Sequence, residues 1–518
     1  MKPTHLIAVL ATSTCLTSAA MADTLTRVAT VPVGGEITGM FLQGDDLFFN
    51  VQHPASDLPS DFAKATVGVI ANADFAAGEL AVPTSDDDKA VVKSSMGTYQ
   101  ILVQEGDFGR IGHIVGAGGE IKISNDPDFN AFVPTGDDVG YLFTNWEDRP
   151  GGMSRVKMSR AADGMWRVDE TDAKMLDFSG VQGTWVNCFG TLSPWGTPLT
   201  SEELYFDTTA DWNNPEYKYI GGVEALESYV GAYPNPYRYG YIVEITDPAG
   251  TATPVKLFAQ GRFSHENAVV MPDQRTVYLS DDGTDVVFYK FVADTAGDMS
   301  AGTLYAAKAT QLGEPGADSA TTGFQISWIE LAHGSNTEIE SWIAQYDGIS
   351  QDDYVAGENS YISDAEVAEW AIGEARDNRV AFLESRKAAV AKGATAEFRK
   401  MEGVNINLDA AKNGSVPYMY MAMSAVEKGM SDDAGDIQVS QNKCGVVYEM
   451  KLDANYNVGM MVPAVAGGPY DKNNGANACA LDNISNPDNI LVLDNGDVLI
   501  GEDTGKHENN AMWLWRRG

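Results

Sequence analysis

The sequence predicts an all-β protein, and three observations carry that prediction. Short runs rich in β-branched and aromatic residues alternate with Asp, Gly, Asn and Pro turns, as at 46–51 (DLFFNV), 141–145, 239–245 (YGYIVEI), 276–280, 288–292, 445–452 and 497–502. Acidic residues recur at the ends of these runs, where a ring of sheets converges its strand ends on one axis. A single stretch, near 363–393, breaks the pattern with helical spacing. A chain of 518 residues with 44% hydrophobic content can bury a large core, and a closed propeller holds that length as one domain. No strict repeat is visible, so a barrel or a sandwich array fits the strand pattern equally well.

The chain opens on Lys2 and His5, an apolar stretch at 6–16 and Ala20-Met21-Ala22 before Asp23, which reads as an export signal cleaved after Ala22. The expected organisation is a Sec-type signal peptide at 1–22 and a mature chain at 23–518. With no second long apolar run, no membrane span is expected, and the protein is expected to be periplasmic or secreted, and a monomer. Its 73 acidic residues against 35 Lys and Arg give a net charge of −38 and exclude nucleic acid and anionic membrane as partners. That charge would also repel a phosphate ester unless bound cations reversed its sign locally.

Once Cys15 leaves with the signal, Cys188, Cys444 and Cys479 remain, an odd number in an oxidising compartment. Cys444 and Cys479 flank one C-terminal segment and are the expected disulfide. Cys188 is then available as a thiolate. It lies in the stretch 186–203 (VNCFGTLSPWGTPLTSEE), where Gly190 and Pro194-Trp195-Gly196 predict a rigid loop that brings the thiol to Glu202 and Glu203. A thiolate beside carboxylates is ligand chemistry for iron or zinc; the plainer reading is a buried free cysteine next to a surface turn. No Walker A loop, GxSxG elbow or HExxH helix is present.

The same stretch resembles the signature N-C-x-G-G-x-T-P-W-G-T-W-L-T-C-E-E of the PhoX-type alkaline phosphatases, the DUF839 family. Asn187, Cys188, Gly190, Pro194, Trp195, Gly196, Thr197, Leu199, Thr200, Glu202 and Glu203 fit it, while Thr191, Pro198 and Ser201 depart. The resemblance implies a β-propeller of about six blades, a cluster of calcium and ferric iron, and hydrolysis of phosphate monoesters. It makes Cys188 and Glu203 iron ligands. The family's twin-arginine export signal is not present, which sets iron in question and leaves calcium untouched.

Further matches run along the chain. Gly34 to Gly39 and Asn50 to Pro54 resemble G-x-E-x-T-G and N-x-Q-H-P-G, which usually close the family's chain and here open it. A ring joins its two ends in one blade, so this permutation favours a closed propeller and makes Glu36 a candidate ligand. Thr144-Asn145-Trp146-Glu147, Gly261 to Glu266, Tyr278 to Asp282, Gly302 to Ala307, Asn486 to Ile490 and Gly501-Glu502-Asp503 extend the resemblance. Glu147, Glu266, Asp281, Asp282, Asp488, Glu502 and Asp503 each stand at a strand end or turn, where a propeller could converge them as metal ligands and where the plainer reading is a surface acid; His265 is a candidate proton carrier or orienter of a ligand, or a structural His beside Glu266.

Ser363 and Glu366 form a capping-box pattern that predicts a helix running to Gly393, inside an insertion at about 336–395. Its end, RKAAVAKGAT, resembles the helix before the family's metal-binding R-P-E. Glu402 then takes the bridging glutamate's place, and the phosphate-holding arginine is displaced to Arg399 or replaced by Lys400. Two other classes compete with the phosphatase: a calcium-stabilised propeller that binds without catalysis, and a lactonase-like or phosphotriesterase-like propeller hydrolase.

Overall fold

In the computed structural model, which describes residues 23–518 apart from 205, 207 and 354–360, antiparallel strands form six blades: three are separate four-stranded sheets, one is a five-stranded sheet, and two are joined edge to edge in a nine-stranded sheet. The expected export signal at 1–22 and part of the 336–395 insertion fall outside the described residues.

The innermost strands of the six blades are Glu36–Gln43, Pro127–Gly136, Asn187–Leu192, His265–Val270, Met401–Asn405 and Pro487–Val492. Each packs against the next around the ring, and the sixth packs against the first. The ring closes by strand pairing. Thr24–Thr30 adds to the C-terminal strand Ala511–Arg516, from Thr24 opposite Arg516 to Thr30 opposite Ala511, so both chain ends build the sixth blade. The first blade follows immediately, and the permuted segment at 34–54 does lie beside the C-terminal strands.

Alternation along each strand supplies two apolar faces, and neighbouring blades bury them against each other. Between the first and second blades, Phe48, Val67, Phe132 and Trp166 share one core, with Phe48 and Trp166 edge to face at 5.7 Å. Between the sixth and the first, Ile37, Leu47, Leu499 and Met512 share another.

Two expectations need correction. The stretch 186–203 is a β-hairpin: Asn187–Leu192 pairs with Pro198–Glu202, and only 193–197 turn. Gly196, at φ +83°, and the Ser193 hydroxyl, which accepts the Thr197 N–H, confine the non-strand geometry to that turn. The helix expected from Ser363 to Gly393 is three: Asp364–Ala371, Arg379–Leu383 and Ser385–Ala391. Its capping box forms as expected. Gly373, at φ +83°, ends the first helix, and Glu384, drawn to the buried Tyr237 hydroxyl at 2.7 Å, leaves helical geometry between the other two.

Candidate active site

The inner strand of every blade carries the same irregularity. Two of its residues oppose a single residue of the second strand, at 39–40, 128–129, 188–189, 266–267, 402–403 and 488–489. Such a bulge swings its side chain out of the pleat. The first residue at each is Gly39, Asp128, Cys188, Glu266, Glu402 and Asp488, and the five with side chains line one cavity of about 280 Å³ at the axis. Gly39 fits no side chain: at φ +59°, a Cβ would come 2.3 Å from the Asp128 carbonyl oxygen.

A second set comes from the residue just beyond the end of each second strand: His53, Glu147, Glu203, Asp282, Ser424 and Asp503. All but Ser424 line the cavity, and Ser424 reaches it by donating to Glu402 Oε1 at 2.7 Å. Glu36, Asp126, Arg149 and Lys400 complete the charged lining.

This geometry divides each adjacent acidic pair. Glu202, Asp281 and Glu502 close their strands facing inward to the blade, fully buried. Glu202 accepts from the Trp185, Gly240 and Tyr241 N–H groups and from Lys256. Asp281 is paired to Arg386, and Glu502 takes the Ser485 and Ala511 N–H groups, His507 and the Trp513 indole. Their partners Glu203, Asp282 and Asp503 face the cavity. Of the candidates read from sequence, Cys188, Glu203, Glu266, Glu402, Glu36, Glu147, Asp282, Asp488, Asp503 and Lys400 therefore come together; Asp281 and Glu502 lie in the blades. His265 is buried outside the cavity, stacked on Phe263 with Nε2 2.9 Å from the Gly261 carbonyl, and burial lowers its pKa to about 3. Arg399 turns to the Gly283 carbonyl and Glu427. Asp126, Asp128, His53 and Arg149 were not selected from sequence. Two of them had a signal: His53 stands in the Asn50 to Pro54 match, and Asp128-Phe129 repeats the ligand-then-aromatic step of Cys188-Phe189 at the same strand position.

Potential ligand atoms approach within 4.8 Å of one another in four overlapping groups: Asp128, Glu147 and Cys188; Cys188, Glu203 and Glu266; Glu266, Glu402 and Asp488; Glu36, Asp488 and Asp503. Burial, reinforced by neighbouring carboxylates, pushes Glu266, Asp488 and Asp128 well above the usual carboxylate range. Burial and the surrounding acids likewise raise the Cys188 thiol. Glu203 and Asp282 meet carboxylate to carboxylate, with Glu203 raised; Asp282, despite its burial, is held low by Lys400. Lys400 Nζ lies 2.8 Å from Asp282 Oδ2 and 2.9 Å from Glu402 Oε1. Burial disfavours a charged His53, but its ion pair with Glu36 wins and raises it to about 10. Ten carboxylic acids face three cations here, an arrangement that cations bridging the acids would relieve.

The alkaline phosphatase PhoX family model matches residues 144–518. A solved structure of PhoX from Pseudomonas fluorescens, in complex with vanadate, a transition state analogue, is 20% identical over 77% of this chain and 78% of that one, with a TM-score of 0.54. Weaker likenesses include a glucose dehydrogenase (8% identity, 95% and 99% covered, TM-score 0.38) and a Trypanosoma rangeli sialidase in complex with the inhibitor DANA (9%, 95% and 56%, 0.35). Among curated proteins none matches the sequence.

Proposed function

We propose that this chain, which belongs to the alkaline phosphatase PhoX family, is an exported phosphomonoesterase that works with a calcium and iron cluster in the axial cavity. The observation that carries the metal reading is the meeting of four carboxylate-rich groups, two of them sharing the Cys188 thiol, in that one cavity. The donor set fits: carboxylate oxygens suit calcium, and the single buried thiol suits iron. Cys188, Glu203, Glu266, Glu402, Asp488, Asp128, Glu147, Glu36 and Asp503 would hold the ions. Bound there, the metals supply charge neutralisation on the phosphoryl oxygens and an activated oxygen nucleophile.

The chain's own residues do the rest. Lys400 uses two of its three ammonium donors on Asp282 and Glu402, which leaves the third for a phosphate oxygen. Gln52 donates to Glu147 Oε2 at 2.7 Å and Ser424 to Glu402, so two ligand carboxylates are oriented from outside the cluster. His265, walled off by Phe263, has no part in this scheme. Export is supported by the disulfide joining Cys444 and Cys479, a bond that persists in oxidising compartments. Among the described residues no helix is long and apolar enough to cross a membrane.

The test is turnover of p-nitrophenyl phosphate by protein purified from an oxidising compartment, combined with elemental analysis before and after chelation. Turnover that disappears with bound calcium and iron and returns with them supports the proposal. No turnover with both metals supplied sinks it and leaves a calcium-binding propeller without catalysis.

A further inference from the structure

The cavity sets an electrostatic problem that Lys400 does not solve alone. A phosphate ester must enter a lining with ten carboxylic acids, where Lys400 is already paired to Asp282 and Glu402, and His53 to Glu36. Arg399 is turned away toward Gly283 and Glu427. Arg149 is the one arginine among the described residues that line the cavity.

Arg149 enters from the second blade, two residues beyond Glu147, and is held by an element outside the sheets. Its guanidinium carbon lies 5.3 Å from the centre of the Tyr219 ring. Tyr219 precedes the helix Ile220–Val230, whose Gly222 packs against the arginine stem so closely that a Cβ there would lie 3.0 Å from Arg149 Cβ and 3.2 Å from its Cδ. Stacking engages the face of a guanidinium, while its N–H groups project from the edge in a fork that matches two oxygens of a phosphate. A lysine offers only a point charge in the same role.

We propose that Arg149, positioned by Tyr219 and Gly222, is a substrate-binding residue that grips the phosphate oxygens of the ester. The identity of the anion rests on the phosphatase reading; the existence of an anion site does not. The helical segment inserted in the third blade thereby takes part in substrate recognition, because Tyr219 and Gly222 contact the arginine from outside the metal-binding sheets.

Calorimetric titration of inorganic phosphate into the metal-loaded protein tests this. Arg149→Met is expected to bind phosphate ~10²-fold more weakly than wild type with metal content unchanged, and Arg149→Lys to fall between. Tyr219→Leu is expected to weaken phosphate binding, and Tyr219→Phe to restore it, because the ring and not the hydroxyl supports the guanidinium. Equal phosphate affinity in wild type and Arg149→Met overturns the proposal, as does a wild type that binds no phosphate. Loss of metal from Arg149→Met also overturns it, since the arginine would then balance cluster charge. Ester turnover is read separately. Phosphate binding that depends on Arg149 in a protein that cleaves no ester defeats the phosphatase reading alone, and turnover with no Arg149 effect defeats this one alone.

Discussion

The Cys188 thiol donates to Glu266 Oε2 at 3.2 Å, although the two residues sit on neighbouring blades at the same bulge position. Glu147, Asp128 and Glu203 add their negative charge around a sulfur that is already buried, so the free thiol resists ionisation. Only a cation bound beside it would favour the thiolate. Cys188→Ser is therefore expected to lose iron, keep calcium and lower phosphate-ester turnover by ~10²-fold or more. Elemental analysis of the variant checks this, and iron retained at the wild-type level rules out a thiolate ligand.

The split within each acidic pair gives contrasting outcomes for chemically identical substitutions. Glu203→Gln, Glu266→Gln and Glu402→Gln each remove a charge facing the cavity, and are expected to weaken metal binding and cut turnover by ~10²-fold or more while folding normally. Glu502→Gln removes the charge that accepts from Trp513, His507 and two backbone N–H groups inside a blade. Its expected effect is a loss of about 3 kcal/mol of stability, seen in denaturant unfolding. Should Glu502→Gln instead be stable and metal-deficient, the assignment of inward and axial acids is reversed.

Lys400 separates substrate binding from metal binding. Its ammonium spans Asp282 and Glu402, so its removal relieves no ligand of a necessary partner once cations are present. Lys400→Ala is expected to raise KM for p-nitrophenyl phosphate more than it lowers kcat, with metal content retained. A variant stripped of metal would make Lys400 part of the cluster's scaffold.

How far the sequence disclosed this arrangement depends on what each residue's neighbours could signal. Strand character was legible because β-branched and aromatic runs bounded by turns are local features, as at Asp46–Gln52 and Thr276–Asp281. The hidden sixfold order was not, because it lies in a bulge position, and four carboxylic acids there, Asp128, Glu266, Glu402 and Asp488, are interrupted by Gly39 and Cys188 and stand at unequal spacings in the chain. Asp281 and Glu502 looked equivalent to Asp282 and Asp503 because strand alternation, which turns adjacent residues to opposite faces, needs the exact strand end to decide which faces the axis. Arg149 was invisible for another reason. Its support, Tyr219, is seventy residues away in the chain, and only the fold brings them together.

The raised acids make a pH prediction for metal-free protein. Burial lifts Glu402 from an ordinary 4.5 to about 7 and Asp126 from 3.8 to about 7. Between those values the folded chain holds protons that the unfolded chain has released, so its stability falls as pH rises from about 4 to 7. His53, raised to about 10 by Glu36, adds stability that is complete below its ordinary 6.5 and is lost as pH climbs through 10, the same direction. Two groups run the other way: the depressed pKa of Asp282 acts only below 3.8, outside this window, while His265, lowered from 6.5 to about 3 by burial, opposes the trend up to 6.5 as one group against the several raised acids of the cavity. In chelator, Tm is therefore expected to fall steadily from pH 5 to pH 9. Calcium reverses the dependence, since it competes with those protons for the same oxygens, and its stabilising shift in Tm is expected to grow from pH 5 to pH 8. Thermal unfolding at fixed ionic strength, with chelator and with calcium, reads both trends. A Tm in chelator that rises between pH 5 and pH 7, or a calcium shift that does not change with pH, would show that the axial acids are not held together as the structure places them.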